Sequence, residues 1–197
     1  MYKVVGTPMS RSFRVLWALE ELGQPYELTP ARPQSPEILQ VNASGKVPAL
    51  IEGDEVLTDS TAIITYLADK HGGLTAPAGT LARAQQDAMT QRFLDELDAV
   101  LWTSARHSFA LPKDQRVPDV KPSLMWEFSR NLDRIAPLIK GPFVMGENFT
   151  LADIVLTHCL SWAIGAKFPV ENQAMLDYGK AMRGRAAHQR VAALTKT

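Results

Sequence analysis

The chain has 197 residues, enough for one large domain or two small ones. Its 46% hydrophobic and 21% charged content is that of an ordinary globular protein, and 21 basic residues balance 21 acidic ones, so net charge offers no sign of a nucleic-acid or anionic-membrane partner. The single cysteine, Cys159, excludes an intrachain disulfide, a CxxC redox pair and a cysteine-based zinc site.

In chain order, residues 2–5 (Tyr-Lys-Val-Val) form a short β-prone run closed by the turn-forming Gly6-Thr7-Pro8. Residues 12–22 follow a helical, mostly apolar pattern through Phe13, Leu16, Trp17 and Leu19, with Gly23 placed to end the helix. The apolar run at 15–19 is flanked by Arg11, Arg14, Glu20 and Glu21 and is too short for a signal sequence or a membrane span. The reading is a soluble, cytoplasmic protein. Residues 26–29 offer a second strand, and a β-α-β order implies a parallel pair with a right-handed crossover.

Ser35-Pro36 predicts a short helix over 37–41. The runs 47–51 and 55–58 are strand-like and joined through Gly53-Asp54, a hairpin signal. Asp59-Ser60 opens another helix that turns Ile63, Ile64 and Leu67 towards the sheet. The predicted first domain, residues 1–72, is a βαβ-ββα unit with a thioredoxin-like layout. Residues 73–80, rich in glycine, proline and small side chains, form a linker.

From 81 to 197 the pattern is helical throughout, so the fold class is α/β plus all-α, the second domain being a helical bundle. Leu81, Ala84, Ala88, Phe93, Leu97 and Leu101 keep helical spacing, as do Leu124, Phe128, Leu132, Ile135 and Ile139. Thr150-Leu151-Ala152-Asp153 is a capping-box variant, with Phe149 and Ile154 placed for a hydrophobic staple. The apolar helix it starts belongs at the centre of that domain.

Three local features point to chemistry. Lys46-Val47-Pro48 puts a proline at the entry of a strand, where it cannot donate to a ladder. With a cis bond there, Val47 turns its backbone N–H and C=O towards an extended peptide, which can pair with them as a strand does. The alternative is an ordinary proline at a strand edge. Asp59-Ser60 combines a helix N-terminus, which suits a carboxylate, with a side chain that can pair with an ammonium; the alternative is an ordinary N-cap at Ser60. The first turn holds Thr7, Ser10 and Ser12, whose hydroxyls either cap the helix or donate a hydrogen bond that stabilises a thiolate.

Ser-Gly-Lys-Val-Pro-Ala-Leu at 44–50 followed by Thr-Asp-Ser-Thr-Ala-Ile at 58–63 resembles the glutathione-site signature of cytosolic glutathione transferases. Residues 6–23 resemble that family's first turn and helix, and Phe149-Thr150-Leu151-Ala152-Asp153 its C-terminal folding motif. The resemblance implies glutathione as co-substrate, no metal, a small hydrophobic electrophile as second substrate, a role in detoxification and a homodimer.

It also implies roles. Val47, before a cis Pro48, would pair with the cysteinyl unit; Asp59 and Ser60 would hold the γ-glutamyl end; Lys46 would sit near the glycyl carboxylate. The family activates the thiol from its first turn with Tyr, Ser or Cys. Here that turn has no cysteine, and the nearest tyrosine, Tyr2, lies within the strand. This leaves a hydroxyl: Ser10 first, Thr7 second and Ser12 third. Trp102, Arg106, His107 and Phe109 are candidates for the hydrophobic-substrate side, against the alternative of helix surface and core. His71, His158 and His188 stand at no metal-ligand spacing. The expected activity is conjugation of the glutathione thiolate to small hydrophobic electrophiles. The alternatives are a glutathione-dependent peroxidase, isomerase or reductase on the same fold, or a non-catalytic ligand-binding protein.

Overall fold

The structure, a computed structural model, describes residues 1–196. The chain divides into two compact units, one formed by Met1–Arg83 together with the segment from Arg183 onward, the other by Ala84–Met182.

In the first unit, β1 (Tyr2–Gly6), α1 (Ser12–Glu21), β2 (Tyr26–Pro30), the four-residue α2 (Pro36–Leu39), β3 (Ala49–Glu52), β4 (Glu55–Thr58) and α3 (Ser60–His71) follow the expected order. They form a four-stranded sheet of order β2-β1-β3-β4. β1 and β2 are parallel, with Val4 opposite Leu28, as a βαβ unit requires. The pairs β1/β3 and β3/β4 are antiparallel, and Leu50 stands between Val4 and Leu57. Gly53, at φ 59°, turns the β3–β4 hairpin in the left-handed region that glycine enters without steric cost. Val4, Leu16, Trp17, Leu19, Leu50, Ile63, Ile64 and Leu67 are all fully buried, the apolar periodicity of α1 and α3 having placed one stripe of each helix inside.

The segment from Arg183 onward, which the expected 81–197 boundary assigns to the helical part, belongs by packing to this first unit. There α9 (Ala186–Ala193) lies against α1, with His188 between the rings of Phe13 and Trp17 and both centroid distances at 4.8 Å. Arg185 grips the Glu21 carboxylate with two hydrogen bonds, at 2.7 and 2.8 Å, and Arg190 pairs with Glu20. Two adjacent carboxylates at a helix C-terminus oppose the helix dipole, and these guanidinium groups offset them.

The second unit is helical: α4 (Leu81–Phe93, which enters it at Ala84), α5 (Ala99–Ala105), α6 (Lys121–Ile135), α7 (Leu151–Gly165) and α8 (Gln173–Arg183, which leaves it after Met182). One π-helical turn, Leu94–Asp98, joins α4 to α5 and another, Arg106–Ala110, follows α5. On α6 the expected stripe Leu124, Phe128, Leu132 and Ile135 is buried, while Ile139 falls beyond the helix end.

Ten of the fifteen residues of α7 are buried, so it is the central helix of the unit. Its start is fixed by Asp153, fully buried, whose carboxylate accepts from the N–H of Val144 and of Thr150 (both 2.8 Å), the Thr150 hydroxyl (3.1 Å) and the Tyr178 hydroxyl (2.7 Å). Burial pushes the carboxyl above its ordinary range, and these donors oppose that shift. Phe149 meets Phe143 edge-on at 5.6 Å.

Candidate functional site

Strand register brings the three chemical features together. Val5 pairs with Ala49 and Ala49 with Thr58, so the turn after β1, the approach to β3 and the exit from β4 share one end of the sheet. A Cβ built on Gly6 would lie 3.5 Å from the Val47 Cβ, which places the first turn beside Val47.

The Val47-Pro48 bond is cis. Pro48 is buried and Val47 half-buried, and none of the backbone hydrogen bonds outside the regular elements involves Val47 among the described residues. The loop before it is held from within. Asn42 donates its amide to the Lys46 carbonyl at 2.8 Å and accepts from the Ser44 N–H and hydroxyl at 3.1 and 2.8 Å. Gln34 donates its backbone N–H to the Gly45 carbonyl (2.8 Å) and its side-chain amide to the Ser44 carbonyl (2.9 Å). Gly45 has φ 65°, and a Cβ there would lie 2.4 Å from the Gln34 amide nitrogen, so position and neighbour both demand glycine. Lys46 is exposed, its flexible stem free to bring the ammonium to an anion.

At the head of α3 the N-cap is Asp59, not Ser60. One carboxylate oxygen of Asp59 accepts from the N–H of Thr61 at 2.9 Å and of Ala62 at 3.0 Å, leaving its other oxygen to an incoming donor. Asp59 holds φ 69°, a left-handed conformation that a non-glycine residue adopts at a cost and that clusters at ligand sites. Ser60 becomes the first helical residue and is 2% exposed, its hydroxyl accepting from Arg14 Nη1 at 3.4 Å. Arg14 is fully buried and places a guanidinium behind the helix N-terminus. Thr61, 8% exposed, has a buried hydroxyl with no hydrogen-bond partner among the described residues.

In the first turn, the Ser10 hydroxyl donates to the Thr7 carbonyl at 2.7 Å, accepts from the Ser12 N–H at 3.1 Å and lies 2.9 Å from the Ser12 hydroxyl. The Ser12 hydroxyl is buried and would be 2.1 Å from a Cβ on Gly6. Arg11 is the N-cap of α1 and makes no side-chain capping bond; the N–H of Ser12, the first helical residue, is taken by the Ser10 hydroxyl. The Thr7 hydroxyl is half-buried and accepts from the Met9 N–H at 3.3 Å.

The four residues expected on the hydrophobic-substrate side lie in the second unit, on α5 and the π-helical turn after it. Trp102 and His107 are half-buried, and Arg106 and Phe109 exposed. Arg106 donates to the Thr103 hydroxyl at 3.0 Å, and His107 Nδ1 accepts from the Val117 N–H at 3.1 Å, tying down the loop that follows. Among the described residues there is no cluster of three His, Cys, Asp or Glu able to hold a metal ion.

Sequence reasoning passed over Arg14, Thr61 and the capping role of Asp59. Arg14 left one signal, a charged residue on the buried stripe of an apolar helix.

The chain is similar to known proteins over most of its length. The family described as "Glutathione S-transferase, N-terminal domain" matches residues 4–75. Glutathione S-transferase 1 of Triticum aestivum is 32% identical over 176 residues, covering 77% of this chain and 75% of the relative. A glutathione transferase from Methylococcus capsulatus str. Bath superposes over 100% of both chains with a TM-score of 0.86 at 27% identity. A glutathione transferase homologue from Sulfitobacter, solved with bound glutathione, covers 100% of this chain and 99% of its own at a TM-score of 0.83 and 26% identity.

Proposed function

The chain belongs to the glutathione S-transferase family, and from that premise we propose that it binds glutathione at this end of the sheet and directs the thiolate at an electrophilic carbon of a small hydrophobic compound. The observation that supports the reading is the register: Val5, Ala49 and Thr58 stand side by side, so the first turn, Val47-Pro48 and Asp59-Ser60 share one end of the sheet.

Val47 offers its backbone to the cysteinyl unit as a neighbouring strand would. The open oxygen of Asp59 takes the γ-glutamyl ammonium, while the α-carboxylate meets Ser60 at the positive end of α3, supported by the buried Arg14 charge, the Thr61 and Ala62 N–H groups being held by Asp59. Lys46 neutralises the glycyl carboxylate. The thiol then lies at the first turn, where a hydroxyl donor favours the thiolate. Ser10 and Thr7 are the candidates. A hydroxyl has one proton, and that of Ser10 is engaged by the Thr7 carbonyl, whereas the Thr7 hydroxyl acts only as an acceptor among the described residues. This pattern favours Thr7; Ser10 serves if glutathione draws its proton away, since catalytic hydrogen bonds often form only in the complex.

The protein's contribution is positioning and stabilisation of charge on sulfur. Trp102, Arg106, His107 and Phe109 are proposed to face the electrophile, and a cytoplasmic homodimer acting in detoxification is the accompanying proposal. No helix among the described residues is long and apolar enough to cross a membrane.

Glutathione at about 100 times its Kd is expected to stabilise the protein by about 2.7 kcal/mol, read as a higher thermal midpoint. No shift at saturating glutathione would remove the binding site from the proposal. Turnover with glutathione and aryl halides, epoxides or hydroperoxides separates conjugation from peroxidase chemistry and from binding alone.

A further inference from the structure

The first turn has a second support, supplied from the far end of the chain. Three observations meet on α1. Its C-terminal end is fixed by ion pairs, Glu21 to Arg185 and Glu20 to Arg190, with the Trp17 indole N–H also donating to Glu21 at 2.9 Å. Its middle and its beginning are touched by a single side chain, His188, 7% exposed, which packs on Trp17 at an interplanar angle of 90° and on Phe13 at 53°. Its beginning is joined to the turn: the Phe13 N–H donates to the Ser10 carbonyl at 3.0 Å, and the Ser12 hydroxyl sits where a Cβ on Gly6 would collide with it. Packing this close leaves α1 no freedom to shift without moving Thr7 and Ser10.

We infer that the segment from Arg183 through α9 is a strap that sets the position of the first turn, with His188 the positioning residue acting through Phe13. The inference rests on the proposed role of that turn in favouring the thiolate. His188 touches neither glutathione nor the reacting atoms in this scheme; it fills the space against which Phe13 and Trp17 are held. Its Nδ1 is buried with no hydrogen-bond partner among the described residues, so the ring acts as an aromatic plug and not through a hydrogen bond at that nitrogen. A phenylalanine should replace it, and an alanine should not.

The test compares the full chain with H188A, H188F and E21Q, well below the thermal midpoint of each. The readouts are kcat, the glutathione Kd and the pH at which the bound glutathione thiol ionises. H188A is expected to lower kcat by roughly tenfold and raise the ionisation pH, because small displacements of a positioned group cost rate. Its Kd should change less than twofold, since Asp59, Ser60 and Val47 lie on other elements, and H188F should restore both readouts. E21Q removes the two-point anchor without opening a cavity, and is expected to shift kcat and ionisation in the same direction by less; it decides the matter if H188A yields no folded protein. Variants that lose only thermal stability, with kcat and thiol ionisation as in the wild type, overturn the strap alone. A wild-type protein that binds glutathione but leaves its thiol titrating as in free glutathione overturns the role of the first turn, and the strap with it.

Discussion

His188 makes the stability of the first unit depend on pH in a window where few other groups titrate. It packs on Phe13 and Trp17 of α1, and the charges that act on it are Arg183 of its own segment and Glu21 of α1. Burial foremost, and then the Arg183 charge, pull its pKa down to about 4, against the weaker pull of Glu21 in the other direction. An unfolded histidine takes up its proton near pH 6.5. Between those values the unfolded chain is protonated and the folded chain is not, so stability falls as pH falls. The loss is about 2 kcal/mol at pH 5 and about 3 kcal/mol once the folded ring is protonated as well. For a protein of this length, 2 kcal/mol lowers the thermal midpoint by roughly 4–8 °C.

Thermal scans of the wild type and H188F at pH 7, 6 and 5 measure it. The wild type should lose that many degrees relative to H188F, which cannot take the proton. Burial raises Glu21, but the hydrogen bonds from Arg185 and Trp17 outweigh it and hold the carboxyl below its ordinary range, and the group is common to both proteins. Asp153, whose raised pKa acts in the opposite sense, cancels in the comparison. Parallel curves for the two proteins would show that His188 does not enter the folded state neutral and buried, and would refute the reasoning.

The remaining predictions concern the ligand. D59N keeps the N-cap acceptor and loses the charge, so its thermal midpoint should stay near that of the wild type while glutathione binds roughly tenfold or more weakly, the loss of about 1.5–3 kcal/mol expected for a charged hydrogen bond; full affinity in D59N would move the ammonium anchor elsewhere. D59A should show the same loss of affinity and in addition lose about 1 kcal/mol of stability. Of T7A and S10A, the variant lacking the thiol's donor should bind glutathione normally and titrate its thiol closer to the free-cysteine value of about 8.5, with the rate deficit shrinking as pH rises; each pH unit of lost depression is about 1.4 kcal/mol. A shift in S10A alone restores the order expected from sequence, and a shift in neither variant removes the hydroxyl from the mechanism.

Much of the first unit was legible because its signals are local. Gly53-Asp54 announces a hairpin, Gly23 stands past a helix at φ 64°, and Lys46-Val47-Pro48 and Asp59-Ser60 mark the ends of elements. Thr150 and Asp153 were equally plain, since a capping box is a four-residue pattern. The features that escaped depend on partners distant in sequence. Glu20 and Glu21 find Arg190 and Arg185 from 170 and 164 residues away, and nothing local to α9 says it will leave the helical unit for α1.

Asp59 displaced Ser60 as the cap because its backbone turns left-handed at the exit of β4, a conformation that composition does not reveal. The hydroxyls of the first turn are a matter of rotamers: Ser10 is drawn inward by the Thr7 carbonyl and the Ser12 N–H, a choice among three similar side chains that spacing cannot make. Arg106, His107 and Phe109 sit on a π-helical turn, which helical periodicity of 3.6 does not anticipate, and Trp102 on the α-helix before it.

Because the segment after Arg183 completes a unit that begins at Met1, that unit is interrupted in sequence by the whole of Ala84–Met182. On the ribosome the sheet and its first helix emerge early, yet the Phe13 and Trp17 surface that His188 covers stays bare while a further hundred or so residues are made, at about 5–20 residues per second. The nascent first unit therefore passes several seconds with an aromatic face uncovered, the kind of surface to which chaperones bind and through which unfinished chains aggregate. The last helix is short, but its docking ends that exposure, and the closing of so long a loop makes it a late event in folding.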